Sequence, residues 1–233
     1  MGRFLLVDDN RAFAENLAEI LEDEGHQATV VDRGEAALQA ALETRYDVLI
    51  TDMCMAGMNG AALVHHLRQR DPGLAAIVVT AHPGEAELAR ARAEGVLAVL
   101  PKPVPVPALV ELLARARRDG LVMLVEDDVQ LADNLTEVLR ERGFTAVVAR
   151  SVPDVAGLES VRPFAALVDL RVPGGPDGEA LRRVRERFPA TTPFVVTAFP
   201  EALPADFEGR WVRKPFDTGA LLAALERVHG DRA

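Results

Sequence analysis

The feature that narrows this chain most is an internal repeat of strand-ending acids held in register. Leu121 to Val125 (LVMLV) answers Arg3 to Val7 (RFLLV), and an acidic pair follows each run, Asp8-Asp9 and Glu126-Asp127. Val48 to Thr51 and Ala165 to Val168 are apolar, β-favouring runs that end at a single acid, Asp52 or Asp169. Ile77 to Thr80 (IVVT) and Phe194 to Thr197 (FVVT) end at a hydroxyl, and Lys102 and Lys214 follow the last run of each copy. Asp9 and Asp52 are 43 positions apart against 42 for Asp127 and Asp169, and both acid-to-threonine spacings are 28. A period shared that closely means two copies of one structural unit. The interval from threonine to lysine breaks the pattern, 22 positions against 17, and the shorter segment carries Pro200 and Pro204. The fourth helix of the second copy is therefore expected to be stunted or lost.

Helical patterns fill the gaps between the runs. Arg11 to Glu24 puts Phe13, Leu17, Ile20 and Leu21 on one face, with Gly25 as its stop. Thr29 to Val31 is a strand, and Asp32 with Glu35 has the spacing of a capping box opening a helix over Ala36 to Glu43. Gly57, Asn59 and Gly60 are turn chemistry leading into a helix over Ala61 to Arg70. Helices follow over Glu85 to Glu94 and Pro107 to Arg118, with the strand Ala98 to Leu100 between them. In the second copy the pattern predicts a helix over Val129 to Arg142 ending at Gly143, and a strand over Thr145 to Ala149. Ser151 with Asp154 forms a cap pair, Trp211 to Arg213 is the last strand, and Thr218 to His229 the last helix. Five short strands alternating with helices predict an α/β chain with two parallel sheets, helices on both faces of each. The domains run over 1–118 and 121–233, with a junction at Asp119 and Gly120 too short to act as a flexible linker.

Composition limits the function classes. The 233 residues are 49% apolar and 27% charged, which suits globular domains with filled cores. A formal net charge of -10 argues against direct nucleic-acid binding, since phosphate backbones need a basic face; a cation or a basic protein surface fits better. The single Cys54 has no partner for an intramolecular disulfide. No signal peptide and no apolar run of membrane-spanning length is present, so a reducing cytoplasm without membrane insertion is expected.

In each copy the topology brings an acidic pair, a central Asp, a Thr and a Lys to one edge of a sheet, outside the carboxyl ends of the strands. A lone Asp after a strand usually caps a helix or solvates a loop, so the weight rests on the five groups together. Three close carboxylates repel one another unless a cation sits among them, and an all-oxygen set suits Mg²⁺. A carboxylate can attack phosphorus to form an aspartyl phosphate, with Lys and a hydroxyl meeting the phosphoryl oxygens. His65, His66 and His82 lack metal-ligand spacing, and the run Arg115 to Arg118 has the character of a solvated helix end.

These residues resemble the receiver domains of two-component response regulators, in two tandem copies covering almost the whole chain. The first copy shows V-D-D, then T-D-M-C-M-A-G-M-N-G, then V-T-A and P-K-P. The resemblance implies two flavodoxin-like (βα)5 folds. It implies Asp52 and Asp169 as phosphoacceptors and Mg²⁺ held by Asp8, Asp9, Asp52 and the Cys54 carbonyl in the first copy. In the second, Glu126, Asp127, Asp169 and the Arg171 carbonyl take that part. Thr80 and Thr197 would be the switch hydroxyls, Lys102 and Lys214 the phosphate-pairing cations, and Lys102-Pro103 and Lys214-Pro215 cis peptides. Trp211 stands where the family often carries a switch aromatic; Val99 holds that place in the first copy.

The departures from the family are Ala56 for the usual Pro, Glu126 for Asp, and one extra residue before Gly178. The family lies behind three further readings. Cys54, two positions past Asp52, stands where the family tunes dephosphorylation, although a bystander Cys54 outweighs a redox one; His82, two positions past Thr80, is close enough in sequence to influence hydrolysis. A histidine kinase or His-containing phosphotransfer protein is the expected donor. A homodimer stays open, with the segment around Pro200 and Pro204 altering the face receivers commonly use for it. No DNA-binding helix pair or enzymatic output is legible, so the expected output is protein binding, or the chain belongs to a longer one, and catalysis is limited to self-phosphorylation and self-dephosphorylation. Three alternatives remain open: a second copy serving only for docking or regulation, an aspartate-nucleophile phosphatase, and a flavin-binding flavodoxin. The phosphatase would need an Asp-x-Asp run after the first strand, and the flavodoxin a Thr/Ser/Gly-rich loop there.

Overall fold

The structure, a computed structural model, describes residues 2–81, 84–158, 161–203 and 207–232. The chain divides into two compact units, residues 1–119 with 140–145, and residues 120–139 with 146–233. The expected boundary at 119–120 thus has an excursion, since the end of one helix and the turn after it group with the first unit.

In the first unit β1 (Arg3–Val7), α1 (Arg11–Asp23), β2 (Gln27–Val31), α2 (Gly34–Glu43), β3 (Val48–Asp52) and α3 (Gly60–Arg70) follow in order. They lead to β4 (Ala75–Thr80), α4 (Glu85–Ala93), β5 (Ala98–Pro101) and α5 (Val106–Arg115). The strands pair in parallel in the order β2-β1-β3-β4-β5. The pleat sends alternate side chains to opposite faces. Leu5, Val7, Leu49, Ala76 and Val78 pack with Ala37 of α2, Leu63, Val64 and Leu67 of α3, and Ala91 of α4. Phe4, Leu6, Val48, Ile50, Ile77 and Val79 pack with Leu17 and Leu21 of α1 and Leu109 and Leu113 of α5. A sheet buried on both faces explains why its strands are almost continuously apolar.

The second unit repeats the plan with β6 (Leu121–Val125), α6 (Val129–Glu141), β7 (Thr145–Ala149), α7 (Val152–Gly157), β8 (Ala165–Val168) and α8 (Glu179–Arg187). β9 (Thr192–Thr197), β10 (Arg210–Arg213) and α9 (Thr218–Gly230) complete it, in the strand order β7-β6-β8-β9-β10. Between β9 and β10 the described residues form a single 3-10 turn, Pro200–Ala202, where the first unit has α4. The fourth helix is therefore stunted, as the prolines require. Ala202, Leu203 and Phe207 pack against the core in its place.

Caps and ends follow the sequence in some places and not in others. Asn59 accepts from the Ala62 N–H and Ser151 from the Asp154 N–H, while Gly25 and Gly143 take positive φ just past α1 and α6. The expected capping box at Asp32 and Glu35 does not form: the N-cap of α2 is Arg33, without a side-chain bond, and Asp32 pairs with the Arg33 guanidinium instead. The helix expected to reach Arg118 stops at Arg115. Arg118 is no solvated helix end; it turns back to donate to the Tyr46 carbonyl and the Asp71 carboxylate, a folded anchor worth more than a dipole contact. The junction accordingly runs from Ala116 to Gly120.

Candidate functional site

Parallel strands all point the same way, so their carboxyl ends share one edge, and the four strand-ending motifs of the first unit meet there. Asp52 closes β3 and is buried; its Oδ1 accepts from the Cys54 N–H at 3.2 Å, and its Oδ2 lies 2.8 Å from Lys102 Nζ. Asp8, just past β1 and also buried, accepts from the Asn10 N–H at 2.9 Å. Its Oδ2 stands 2.7 Å from the same Lys102 ammonium, an ion pair by distance but outside hydrogen-bond geometry. Lys102 reaches both because its own N–H is fixed to the Thr80 carbonyl at 2.8 Å, at the end of β4. Thr80 is 1% exposed, and its hydroxyl has no hydrogen-bond partner among the described residues.

The second unit builds the same edge with different lengths. Lys214 Nζ lies 2.6 Å from Asp169 Oδ2 and 2.7 Å from Glu126 Oε2, and its N–H donates to the Thr197 carbonyl at 2.9 Å. The longer Glu126 side chain forms a full hydrogen bond to lysine where Asp8 does not. Asp169 Oδ1 accepts from the Arg171 N–H at 3.0 Å. Thr197 differs most from its counterpart, because its hydroxyl already accepts from the Phe199 N–H at 3.0 Å. The Phe199 ring in turn lies under the Arg171 guanidinium, 3.6 Å from centroid to Cζ, and Asp177 holds that guanidinium from the other end at 2.8 Å. Lys102-Pro103 and Lys214-Pro215 are both cis.

Electrostatics follow from burial. Desolvation pushes the carboxyls of Asp8 and Glu126 above their ordinary range, against the lowering effect of the nearby lysines. Burial alone would lower Lys102 and Lys214, but the close contacts to two carboxylates each outweigh it and both are raised. One lysine thus meets two of the three acids in each unit. The carboxylate oxygens of Asp8, Asp9 and Asp52 can all lie within 4.8 Å of one another, as can those of Glu126, Asp127 and Asp169. An all-carboxylate set left with excess negative charge fits a hard cation such as Mg²⁺. The unpartnered Thr80 hydroxyl is a donor waiting for an oxygen.

Several contributors escape the repeat. Asn10 caps α1 through the Phe13 N–H while its own N–H orients Asp8, and Asp128 does both for Glu126 and α6. Their signal is an Asn or Asp just before a helix. The Lys102 ammonium stands 5.0 Å from the Phe13 ring, a contact no spacing rule reveals. The glycines of the loops after Asp52 and Asp169 are needed for different reasons. A Cβ on Gly60 would stand 2.3 Å from the Asp52 carbonyl oxygen, whereas Gly178, after the extra residue, has open space and a φ of +79°. Trp211 is 46% exposed on the edge strand, and Val99 is half-buried. Cys54 is exposed, His65 bonds Glu94 at 3.1 Å, and His82 lies outside the described residues.

Comparison with known proteins agrees with this architecture. The family model described as response regulator receiver domain matches residues 4–114. A response regulator receiver protein of Anaeromyxobacter sp. (strain Fw109-5) is 58% identical over 232 residues, covering 100% of this chain and 97% of its own length. The response regulator FleR of Pseudomonas aeruginosa is 33% identical over 147 residues, 60% of this chain and 31% of FleR. The DNA-binding transcriptional regulator NtrC of Escherichia coli K12 is 31% identical over 140 residues, 60% of this chain and 30% of NtrC. The chain therefore spans about a third of either regulator. Among solved structures, the chemotaxis response regulator CheY4 of Vibrio cholerae aligns with 49% of this chain and 98% of its own, at 26% identity and a TM-score of 0.46.

Proposed function

We infer the function from a premise now in hand: this chain belongs to the response regulator receiver family and takes part in two-component signalling. We propose that both units are working phosphoryl switches, with Asp52 and Asp169 as acceptors. The observation that supports this most is that two separate folds arrive at one constellation, a buried acceptor carboxylate bonded to a lysine that is anchored on the threonine strand.

In the proposed reaction a carboxylate oxygen of Asp52 attacks the phosphorus of a phosphohistidine. The P–N bond breaks as the P–O bond forms, and the donor imidazole keeps the electron pair and takes up a proton. Lys102, already 2.8 Å from the acceptor, follows the negative charge onto the phosphoryl oxygens. The Cys54 N–H orients the carboxylate through Oδ1, and the Thr80 hydroxyl donates to a phosphoryl oxygen. Asp8, Asp9, Asp52 and the Cys54 carbonyl would hold Mg²⁺ in the first unit, and Glu126, Asp127, Asp169 and the Arg171 carbonyl in the second. When bound, the ion neutralises charge on the transferred group. The new bonds to Thr and Lys shift the populations of the adjoining loops, and the changed surface is the output. The donor is a histidine kinase or a His-containing phosphotransfer protein, and the chain works in the cytoplasm; among the described residues no helix is long and apolar enough to cross a membrane.

A second reading, in which Asp169 is a docking or regulatory module, draws on the Phe199 N–H donating to the Thr197 hydroxyl oxygen, which restrains its rotation in the unphosphorylated chain. Intact mass after incubation with Mg²⁺ and acetyl phosphate separates the two. Two additions in the wild type and one in each of Asp52→Asn and Asp169→Asn support two switches. A single addition, lost only in Asp52→Asn, supports the second reading. Hydrolysis of a phosphate ester with turnover would overturn both.

A further inference from the structure

The two sheets share register beyond the site, and the shared positions do not all do the same work. Arg68 on α3 and Arg185 on α8 are 117 positions apart, the same offset as Asp52 and Asp169 and as Thr80 and Thr197. Arg68 is 2% exposed and donates to three backbone carbonyls, Leu74, Glu94 and Gly95; the last two are at the C-terminal end of α4. In the second unit the described residues of that segment form only the 3-10 turn, and none of their carbonyls accepts from Arg185. Arg185 is exposed. Among the described residues it meets no carboxylate and no carbonyl, and its guanidinium rests 5.0 Å from the Phe207 ring.

Beside it lies a groove of about 370 Å³ lined by Arg185, Phe188, Pro189, Pro193 and Arg210, with Thr191 and Thr192. Arg210 opens β10 and is also without a carboxylate among the described residues; it stands over the ring of its ladder partner Phe194 at 5.6 Å. Thr192 opens β9, so the groove is at the amino end of these strands, the end opposite Asp169, Thr197 and Lys214. Two aromatic-backed guanidiniums therefore flank an apolar, proline-lined cleft in a chain whose net charge is -10.

We propose that this groove is a docking site for an acidic peptide segment of a partner protein, with Arg185 and Arg210 as its carboxylate ligands. The chemistry is that of Arg68 transferred in trans: an arginine that has lost the carbonyl oxygens of a helix end takes peptide oxygens from outside. Guanidinium forks match carboxylates bidentately, and the rings beneath hold them in place while leaving the donors exposed. The groove offers only two cations on a short, largely apolar floor, fewer than an extended polyanion such as nucleic acid needs. The site is independent of whether Asp169 accepts phosphate.

Fluorescence anisotropy of a labelled, capped hexaglutamate peptide at low salt tests this on the full chain. Wild type is expected to bind saturably and Arg185→Gln/Arg210→Gln at least tenfold more weakly, with unchanged circular dichroism because both side chains are exposed. The charge-matched Arg90→Gln/Arg92→Gln variant of α4 is expected to bind as wild type. No saturation in the wild type, retention of binding in the Arg185/Arg210 variant, or an equal loss in the α4 control overturns the proposal. Acetyl phosphate labelling of Asp52 and Asp169 in the same variants reads the phosphoryl function separately.

Discussion

The Arg171 guanidinium lies 3.6 Å from the centroid of the Phe199 ring, and this one contact ties together the chain segments that follow Asp169 and Thr197. The Arg171 N–H orients Asp169, and the Phe199 N–H occupies Thr197. The ring is 38% exposed, so its contact with the cation is worth about 1 kcal/mol, not the larger value of a desolvated pair. Phe199→Ala is expected to free the Thr197 loop and speed labelling of Asp169 by acetyl phosphate about fivefold, the rate equivalent of about 1 kcal/mol. A time course of intact mass in the Asp52→Asn background checks it, and an unchanged rate would mean the stack does not restrain the site.

The two threonines should respond oppositely to the same substitution. Thr80 is buried with an unpartnered hydroxyl, a group that costs about 1 to 3 kcal/mol when left unmade. Thr80→Val is expected to leave the unphosphorylated chain as stable or more stable. Thr197→Val removes the acceptor of the Phe199 N–H and is expected to destabilise it by about 1 kcal/mol. Urea denaturation of each variant decides the matter.

Asp8 is one of the three acids of the proposed Mg²⁺ site. Its carboxyl is raised by burial, so the ionised form that prevails at neutral pH costs stability in the folded, metal-free chain; the contribution is favourable below the ordinary carboxyl range and lost as pH rises through the raised value. Asp8→Asn removes that charge from beside Asp52 and leaves Lys102 paired with Asp52. The metal-free variant is expected to melt about 2 to 4 °C higher at pH 7, the shift for about 1 kcal/mol in a chain of this length. Mg²⁺ should raise the melting temperature of the wild type by more than that of the variant, which keeps only the second unit's set of acids. Differential scanning calorimetry with and without Mg²⁺ measures both.

Arg68 and Arg185 give the sharpest contrast in stability. Burial lowers the Arg68 guanidinium to about 10, so it stays protonated at neutral pH while serving three carbonyls. Arg68→Met strands those acceptors and is expected to cost about 3 kcal/mol, whereas Arg185→Met at an exposed position should change stability by less than about 0.5 kcal/mol. Chemical denaturation of the two variants would show it, and equal losses would mean that the shared register carries a shared role.

Much of this protein is written locally. Alternating apolar residues, strand-ending acids and glycine stops depend on nearest neighbours and on a periodicity of two or 3.6, so the strands, their order of appearance and the doubled constellation were legible without a structure. The loss of the fourth helix was legible too, because proline removes a donor wherever it stands. The cap at Asp32 failed because its spacing left the choice of N-cap to the tertiary path of the chain, which put Arg33 there. Arg118 and Arg68 were no more readable: an arginine beyond a helix pattern gives no sign of the carbonyls that will surround it, and those of Arg68 come from segments up to 27 positions away. The spacing of Asp52, Thr80 and Lys102 determined which residues would gather. Packing alone decided that the Thr80 hydroxyl would find no partner among the described residues, that the Thr197 hydroxyl would be held by Phe199, and that two arginines in one register would face opposite environments. Those outcomes depend on which distant backbone oxygens and rings come within bonding distance once the sheets are covered, and sequence spacing carries no record of them.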